Sequence, residues 1–289
     1  MRSLVQSGAM SPIIALLTDF GLKDAYVGIM KGVMLSICPT ARLVDLTHDI
    51  RPQDVRQAAY VLLTAYRYFP PETVFLVVVD PGVGTARAPL AVETAHGRFV
   101  APDNGVLSYV LRETPARQAV ALSDPAYHLR EISQTFHGRD IFSPVAAHLA
   151  QGTPITALGP TQRNLVLLPA PRLSVSAREV VGEVLHIDHF GNLITSIGQL
   201  TWEGADRLRL TPRFGGEAGS SVELMAVTCR VQVGDYQVGP IRRTYGEVSP
   251  GQATALIGSA GQLEIGVNQG HAAERYQAAI GDPVWLRFA

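Results

Sequence analysis

An acidic segment near the start of the chain carries two carboxylates just after an apolar run. It reads Leu17-Thr18-Asp19-Phe20-Gly21-Leu22-Lys23-Asp24, and its glycine allows the backbone to turn sharply. In α/β proteins, ligands bind beyond the carboxyl ends of the strands, where a carboxylate such as Asp19 can accept both hydroxyls of a ribose. Asp24 lies a little farther along the same loop. The alternative is that both aspartates only cap the next helix.

A second segment places an acid and a base seven residues apart around a tight loop. It reads Val79-Asp80-Pro81-Gly82-Val83-Gly84-Thr85-Ala86-Arg87, and Arg87 can fold back toward Asp80. The stretch is compatible both with a functional pair and with a purely structural salt bridge. Its glycines do not complete the G-x-x-x-x-G-K-[ST] phosphate loop, so nothing here supports nucleoside triphosphate chemistry.

A third segment, Phe136-His137-Gly138-Arg139-Asp140, carries an imidazole next to a glycine at the expected start of a helix. Such a position favours a side chain that faces a cleft, and a histidine that titrates near neutral pH can transfer protons there. We expect the seven other histidines to be mostly surface or packing residues.

The second half of the chain contributes turn-like segments whose side chains suit a purine. An asparagine amide such as that of Asn192 can pair with one edge of an adenine, and Phe190 can lie on the face of the ring. The segments are Asp188-His189-Phe190-Gly191-Asn192, Ser259-Ala260-Gly261 and Val267-Asn268-Gln269. Together with the acids of the first half, they predict a site shared between two domains.

These segments need a scaffold, and the first half of the chain has the pattern of a layered α/β domain. The apolar runs 13–17 and 74–79 are typical of strands covered on both faces, and each leads to an aspartate. Between them, apolar residues at helical spacing over 55–66 predict a helix capped by Asp54. Another helix is predicted at about 140–151. This alternation predicts helices packed on a mostly parallel sheet.

The composition changes where Pro169 and Pro171 interrupt the chain. Beyond them, short alternating stretches such as 183–187 and 222–233 are separated by glycine, proline and serine clusters, a pattern typical of an antiparallel β-barrel. The predicted parts are a flexible N-terminal extension (1–11), an α/β domain (12–168) and a C-terminal antiparallel β-barrel domain (169–289).

Composition excludes several classes of protein. Of 289 residues, 47% are hydrophobic and 17% charged, which is globular rather than disordered. The 24 basic and 25 acidic side chains give a net charge of −1, so neither nucleic acid nor a membrane is an expected partner. Two distant cysteines form no zinc or disulfide framework. The first residues resemble neither a secretion signal nor a membrane anchor, so we expect a cytoplasmic protein.

Six motifs, in their order along the chain, resemble the S-adenosyl-L-methionine (SAM) hydroxide adenosyltransferases. That family is also called the adenosine-forming SAM hydrolases and is related to the fluorinase and chlorinase enzymes. The resemblance covers residues 12–288. The motifs are Thr18-Asp19-Phe20-Gly21, Asp80-Pro81-Gly82-Val83-Gly84 through Arg87, Ala101-Pro102-Asp103-Asn104-Gly105, Phe136-His137-Gly138-Arg139-Asp140, Phe190-Gly191-Asn192 and Val267-Asn268-Gln269-Gly270.

The resemblance implies a homotrimer whose sites lie between the first domain of one subunit and the second domain of its neighbour. It also implies a reaction in which water or hydroxide attacks C5′ of the ribose in SAM and releases adenosine and L-methionine. Asp80, Arg87 and His137 match the catalytic triad of the family. The halogenating relatives lack that triad, so its presence here favours water as the nucleophile.

The resemblance also assigns binding residues. By position, Asp19 holds the ribose hydroxyls, Asn192 and the backbone of Gln269 hold the adenine, and Asp188 with Ser259 holds the methionine end. The set is completed by Asp24, Phe136, Phe190 and Val267. It implies neither a cofactor nor a metal, since SAM is the substrate.

Two other functions remain open at this stage. Asp19, Asp24 and Asp80 could bind a hard cation in a metal-dependent phosphoesterase, although no convincing histidine cluster accompanies them. Alternatively, the chain is a non-catalytic adenosine- or SAM-binding module in which Asp80 and Arg87 form only a salt bridge.

Overall fold

The computed structural model describes residues 11–215 and 221–288, so nearly all of the predicted N-terminal extension lies outside the described residues. The chain divides between Leu168 and Pro169 into two compact units, each with its own core. In the described parts, no helix has the length and apolarity needed to cross a membrane. A cytoplasmic location stays a prediction of the sequence.

The first unit is built on one six-stranded sheet of order β2-β1-β3-β5-β4-β6. The pairs β1/β2, β1/β3 and β3/β5 are parallel, whereas β4 runs antiparallel to both of its neighbours. The mostly parallel sheet of the predicted α/β domain is therefore confirmed. Its strands are β1 (Ile13–Thr18), β2 (Arg42–Thr47), β3 (Val74–Val78), β4 (Pro89–Thr94), β5 (Gly97–Pro102) and β6 (Gln118–Ala121).

Four helices accompany this sheet in the described part of the unit: α1 (Tyr26–Ile37), α2 (Val55–Ala65), α3 (Ser108–Glu113) and α4 (Ser143–Ala150). The predicted cap of α2 is confirmed, because the carboxylate of Asp54 accepts the backbone N–H of Gln57 at 2.8 Å. The last helix begins later than predicted, since Gly138–Phe142 first forms a π-helical turn that His137 precedes. Such turns are frequent at functional sites.

The second unit is almost entirely β-structure. Its larger sheet follows the order β14-β13-β18-β8-β9-β17-β16-β15, and contact between β14 and β16 nearly closes it into a barrel. All its pairs are antiparallel except β15/β16, which agrees with the predicted barrel. The strands of the second unit and its α-helix are β7 (Ser174–Val175), β8 (Glu179–Ile187), β9 (Leu193–Gly198), β10 (Leu200–Trp202), β11 (Arg207–Leu210), β12 (Val222–Met225), β13 (Arg230–Val233), β14 (Tyr236–Gly239), β15 (Ile241–Arg242), β16 (Ala253–Ile257), β17 (Gln262–Val267), α5 (Ala272–Tyr276) and β18 (Pro283–Arg287).

The alternating stretch 222–233 forms two strands that belong to different sheets. Strand β12 completes a small sheet of order β10-β11-β12, whereas β13 joins the larger sheet beside β18. A local pattern of alternation predicts strands but not their partners, because pairing is set by residues distant in sequence.

Candidate active site

A cleft of about 400 Å³ opens in the first unit, just beyond the carboxyl ends of β1 and β3. This is the edge at which α/β sheets bind ligands. Its lining combines two carboxylates, an imidazole and aromatic rings with small loop residues. The lining residues are Asp19, Phe20, Tyr26, Pro52, Gln53, Val78, Asp80, Pro81, Val83, Thr135, Phe136, His137 and Gly138.

Asp80, Arg87 and His137 form one hydrogen-bonded cluster. The guanidinium of Arg87 donates from Nε to Oδ1 of Asp80 at 2.9 Å, and its Nη2 donates to Oδ2 of the same carboxylate. The same Nη2 lies 3.0 Å from Nδ1 of His137. The fork geometry of arginine suits this arrangement, because one planar group can hold a carboxylate with two bonds and still reach a third partner.

The two loops that carry the cluster approach each other closely. Gly84 adopts a φ of +76°, and a β-carbon at this position would lie only 2.6 Å from the carbonyl oxygen of Gln134. A side chain is therefore excluded by both the backbone conformation and the available space. This contact between loops brings Arg87 to His137 across 50 residues of sequence.

Arg87 lies behind the other two members of the cluster. Asp80 and His137 line the cleft, whereas the side chain of Arg87 is only 9% exposed and rests over the ring of Phe142 at 5.2 Å. The side chain of Asp80 is 6% exposed. The positive charge is thus held within the protein, where Coulomb interactions are stronger than in water.

The tautomer of His137 follows from its partners. A guanidinium can only donate, so Nδ1 of the imidazole must accept from Arg87. Burial is the main cause that lowers the pKa of His137 below its ordinary value, and the charge of Arg87 lowers it further. His137 is therefore neutral at neutral pH.

The His137 loop is anchored by a buried acid that sequence reasoning did not single out. The carboxylate of Asp140, which is fully buried, accepts the backbone N–H and the hydroxyl of Ser133, both at 2.8 Å. Arg139 donates to the same carboxylate. Hydrogen bonds from Ser133 and Arg139 hold the pKa of Asp140 below its usual value despite its burial. Asp140 thereby fixes the loop from which His137 projects.

The predicted acids of the first loop occupy different environments. Asp19 lines the cleft, and its Oδ2 accepts the backbone N–H of Gln53 at 2.8 Å. Asp24 is exposed and is absent from the cleft lining. In residues 11–215 and 221–288, no three His, Cys, Asp or Glu side chains are arranged to hold a metal ion. The structure therefore does not bring Asp19, Asp24 and Asp80 together as a phosphoesterase site would require.

Aromatic residues complete this cleft, and Tyr26 was missed from the sequence. The rings of Phe20, Tyr26 and Phe136 form a cluster with centroid separations of 5.1–6.0 Å. Tyr26 is the first residue of α1, just beyond the acidic loop. Tyr26 lies close to Asp19 in the sequence, and this closeness is the signal that could have identified it.

A separate cavity of about 770 Å³ lies in the second unit. All six binding residues predicted in this half line it: Asp188, Phe190, Asn192, Ser259, Val267 and Gln269. Of these residues, Phe190 has an exposed ring and Gln269 has a left-handed backbone conformation. Sequence reasoning thus found residues that do share one cavity.

Within this cavity, Asp188 organises its own loop. Its Oδ1 accepts the backbone N–H groups of Phe190 and Asn192, and its Oδ2 accepts the amide of Asn192 at 2.9 Å. Tyr245 and Glu264 also line the cavity but were not predicted. The hydroxyl of Tyr245 donates to the carboxylate of Glu264. Burial raises the pKa of both groups, and the nearby charge of Asp188 adds to the effect.

Comparisons with known proteins show to which family this chain belongs. The model of the SAM hydroxide adenosyltransferase N-terminal domain matches residues 14–159, and that of the C-terminal domain matches residues 182–285. The chain is 41% identical to the (R)-S-adenosyl-L-methionine hydrolase of Thermus thermophilus, over 93% of this chain and 97% of that protein. It is 39% identical to the enzyme of the same name from Salinispora tropica, over 95% and 97%.

A more distant relative and a solved structure also match over nearly the whole chain. A fluorinase of Nocardia brasiliensis is 28% identical over 96% of this chain and 97% of that protein. The crystal structure of an uncharacterized conserved protein from Thermotoga maritima matches with a TM-score of 0.82 and 36% identity, over 95% of this chain and 99% of that one. On these grounds, the chain belongs to the SAM hydroxide adenosyltransferase family.

Proposed function

We propose that this protein hydrolyses S-adenosyl-L-methionine to adenosine and L-methionine. The observation that carries the proposal is the hydrogen-bonded cluster of Asp80, Arg87 and His137, two of whose members line the cleft at the strand ends. The relatives named (R)-S-adenosyl-L-methionine hydrolase support the same substrate.

The proposed reaction is a displacement at C5′ of the ribose. A water oxygen forms a bond to C5′ while the C5′–S bond breaks, and its electron pair stays on sulfur to give the neutral thioether of methionine. One proton from the attacking water is released, so SAM and water give adenosine, methionine and a proton. The sulfonium is already an excellent leaving group, and the difficult part of the reaction is activation of the water.

Arg87 supplies the charge that this activation needs. Bulk water is a very weak acid, so free hydroxide is scarce at neutral pH. Two unit charges about 4 Å apart attract by roughly 4 kcal/mol at an effective dielectric of about 20. A guanidinium fixed behind the cleft wall therefore favours negative charge on a water bound at Asp80 and His137.

Within the cluster, Asp80 is the group best placed to accept the proton. Each of its carboxylate oxygens receives one bond from Arg87, which leaves one lone-pair position on each oxygen. Nδ1 of His137 already accepts from Arg87, which puts the proton of the neutral ring on Nε2. His137 then holds the guanidinium and the attacking water in position. In-line attack requires the water oxygen about 3–3.5 Å from C5′, on the side opposite the sulfur.

The residues of the two cavities divide the rest of the substrate between them in this proposal. Asp19 binds the ribose hydroxyls, Asn192 and the backbone of Gln269 bind the adenine edge, and Asp188 with Ser259 binds the methionine end. The remaining members of the proposed substrate-binding set are Phe136, Phe190 and Val267, whereas Asp24 lies outside both cavities.

The protein is further proposed to act as a homotrimer, with each site completed by a neighbouring subunit. Support comes only from the family resemblance. Light scattering coupled to size-exclusion chromatography should give a mass three times that of the chain. A monomer that turns over SAM at full rate would contradict this part of the proposal.

The direct test incubates purified protein with SAM and follows adenosine and methionine by chromatography. Because the relatives' names specify the R configuration at sulfur, the two sulfonium epimers should be supplied separately, and we expect the R epimer to react faster. A non-catalytic binding protein would yield neither product. A phosphoesterase would act only on a phosphorylated substrate.

The dependence of turnover on pH is expected to report the protonation of His137. Its pKa lies below the ordinary 6.5, so the imidazole is neutral above that pH and becomes charged as the pH falls through the lowered value. Protonation removes the acceptor that Nδ1 offers to Arg87 and sets two cations side by side. Activity should therefore be full above about pH 6.5 and fall below it.

A pH–rate profile measures this fall of kcat at acidic pH, and the midpoint of the fall should lie below pH 6.5. The residual activity of His137→Asn, which cannot be protonated in this range, serves as the control. A midpoint above pH 6.5 would contradict the role of His137 in this pH dependence. The same fall of kcat at acidic pH in the His137→Asn profile would contradict it as well.

Turnover is also expected to persist without added metal, because the sulfonium needs no Lewis acid to leave. Protein dialysed against a chelator should keep its kcat. A loss of activity that a divalent ion restores would count against this mechanism.

A further inference from the structure

A buried histidine that lines neither cavity lies beneath the first cleft. His48 directly follows β2 and is 3% exposed. Its Nδ1 lies 2.9 Å from Oγ1 of Thr18, the last residue of β1, and its Nε2 lies 3.0 Å from Oδ1 of Asp45. The ring is hydrogen-bonded at Nδ1, and its Nε2 faces the carboxylate of Asp45 without a hydrogen bond. His48 therefore connects the ends of two neighbouring strands below the cleft.

Lys31 holds the carboxylate of Asp45 from its other side. Its Nζ donates to Oδ2 of Asp45 at 2.7 Å, whereas Oδ1 lies 3.0 Å from Nε2 of His48. The hydrogen bond between Thr18 and Nδ1 fixes one edge of the His48 ring, and the carboxylate of Asp45 faces the other edge.

His48 holds the loop that carries Asp19 at two points. Oγ1 of Thr18, oriented by the imidazole, accepts the backbone N–H of Phe20 at 3.2 Å. The backbone carbonyl of His48 accepts the N–H of Gly21 at 2.8 Å. The contacts lie on either side of Asp19 in the sequence, so the backbone that carries this carboxylate is fixed before and after it.

A third contact fixes the carboxylate itself. Gln53, which has an unusual positive φ of 68°, donates its backbone N–H to Oδ2 of Asp19. A non-glycine residue in this left-handed region costs free energy, and such conformations cluster at functional sites. This bond anchors the carboxylate, and because the two oxygens of a carboxylate offer about four lone-pair sites, further donors can still be accepted.

We propose that His48 is a positioning residue that aims the carboxylate of Asp19 at a vicinal diol, the 2′- and 3′-hydroxyls of a ribose. Recognition of two adjacent hydroxyls requires both carboxylate oxygens at a set angle. It is therefore more sensitive to the geometry of the Asp19 loop than the contacts that hold the flat adenine base. This inference rests on the proposed function through the role of Asp19. His48 itself touches no substrate.

The test compares the binding of adenosine and 2′,3′-dideoxyadenosine to the full-length protein by isothermal titration calorimetry. His48→Ala should weaken adenosine binding about tenfold, in the range for a lost bond to a charged group, and leave dideoxyadenosine binding unchanged. His48→Asn, whose side-chain amide can occupy the place of Nδ1 and hydrogen-bond to Thr18, should recover most of the preference. A merely structural role predicts neither the selectivity nor the recovery.

Two further variants keep the result interpretable. Thr18→Val, an almost isosteric change at a fully buried residue, removes the same contact and should give the same selective loss if His48→Ala fails to fold. His96→Ala, at an exposed histidine of the same unit, should bind both ligands as the wild type does.

Equal weakening of both ligands, or no change in either, in the His48 and Thr18 variants would overturn the proposal. Asp19→Asn distinguishes this failure from a failure of the proposed function. If that variant keeps the wild-type preference for adenosine, then the ribose assignment of Asp19 is wrong, and the role of His48 falls with it.

Discussion

Arg87→Ala should lower kcat for SAM hydrolysis by about two to three orders of magnitude, with little change in KM. This is the range found when one fixed charge or donor that stabilises a transition state is removed. In this protein the loss has two causes. The variant lacks the positive charge behind the cleft wall, and it releases Asp80 and His137 from their common partner. Steady-state kinetics with purified variants measures both parameters.

Arg87→Lys separates the two causes. The ammonium keeps the charge but lacks the planar fork, so it cannot hold both carboxylate oxygens and the imidazole together. We expect its kcat to lie between those of the wild type and Arg87→Ala. Arg67→Ala is the matched control, since Arg67 also pairs with a carboxylate, that of Glu113, but its side chain is 52% exposed. Wild-type turnover in Arg87→Ala would refute the assigned role.

Arg87→Ala should also cost the protein about 3 kcal/mol of unfolding free energy, and much of this should return when Asp80 is replaced as well. The pair is nearly buried, with side chains 9% and 6% exposed, so removing the arginine alone leaves a carboxylate desolvated and unpaired. The double variant Asp80→Ala/Arg87→Ala carries no such charge. For a domain of this size, about 3 kcal/mol corresponds to a fall in Tm of roughly 6–12 °C.

Thermal unfolding followed by circular dichroism tests this expectation. The exposed pair of Arg209 and Glu203 provides the control, and Arg209→Ala should change stability by about 1 kcal/mol or less. The double variant could instead be less stable than Arg87→Ala by as much as an unrelated second mutation would cost. That result would show that Arg87→Ala does not leave Asp80 as a buried, unpaired charge. Kinetic assays should then be run well below the Tm of the least stable variant.

The sequence alone determined the elements whose signals are local. The apolar runs that became β1 and β3 are buried on both faces, and the cap at Asp54 is set by residues within one turn of helix. The pairing of Asp80 with Arg87 was also accessible, because a tight glycine-containing loop returns the chain over only seven residues. Local context also singled out His137 and the turn segments of the second half, and the family resemblance then implied their roles.

The tertiary structure decided which side chains meet across long separations. It placed Asp24 outside the cleft, set Arg87 behind Asp80 and His137, and paired Tyr245 with Glu264. It also brought His48 under the Asp19 loop, although the sequence suggested a surface or packing role. The physical reason is that hydrogen bonds between loops depend on strand order and backbone direction. A linear pattern of residue types records burial and turns, but not which strand end lies beside which.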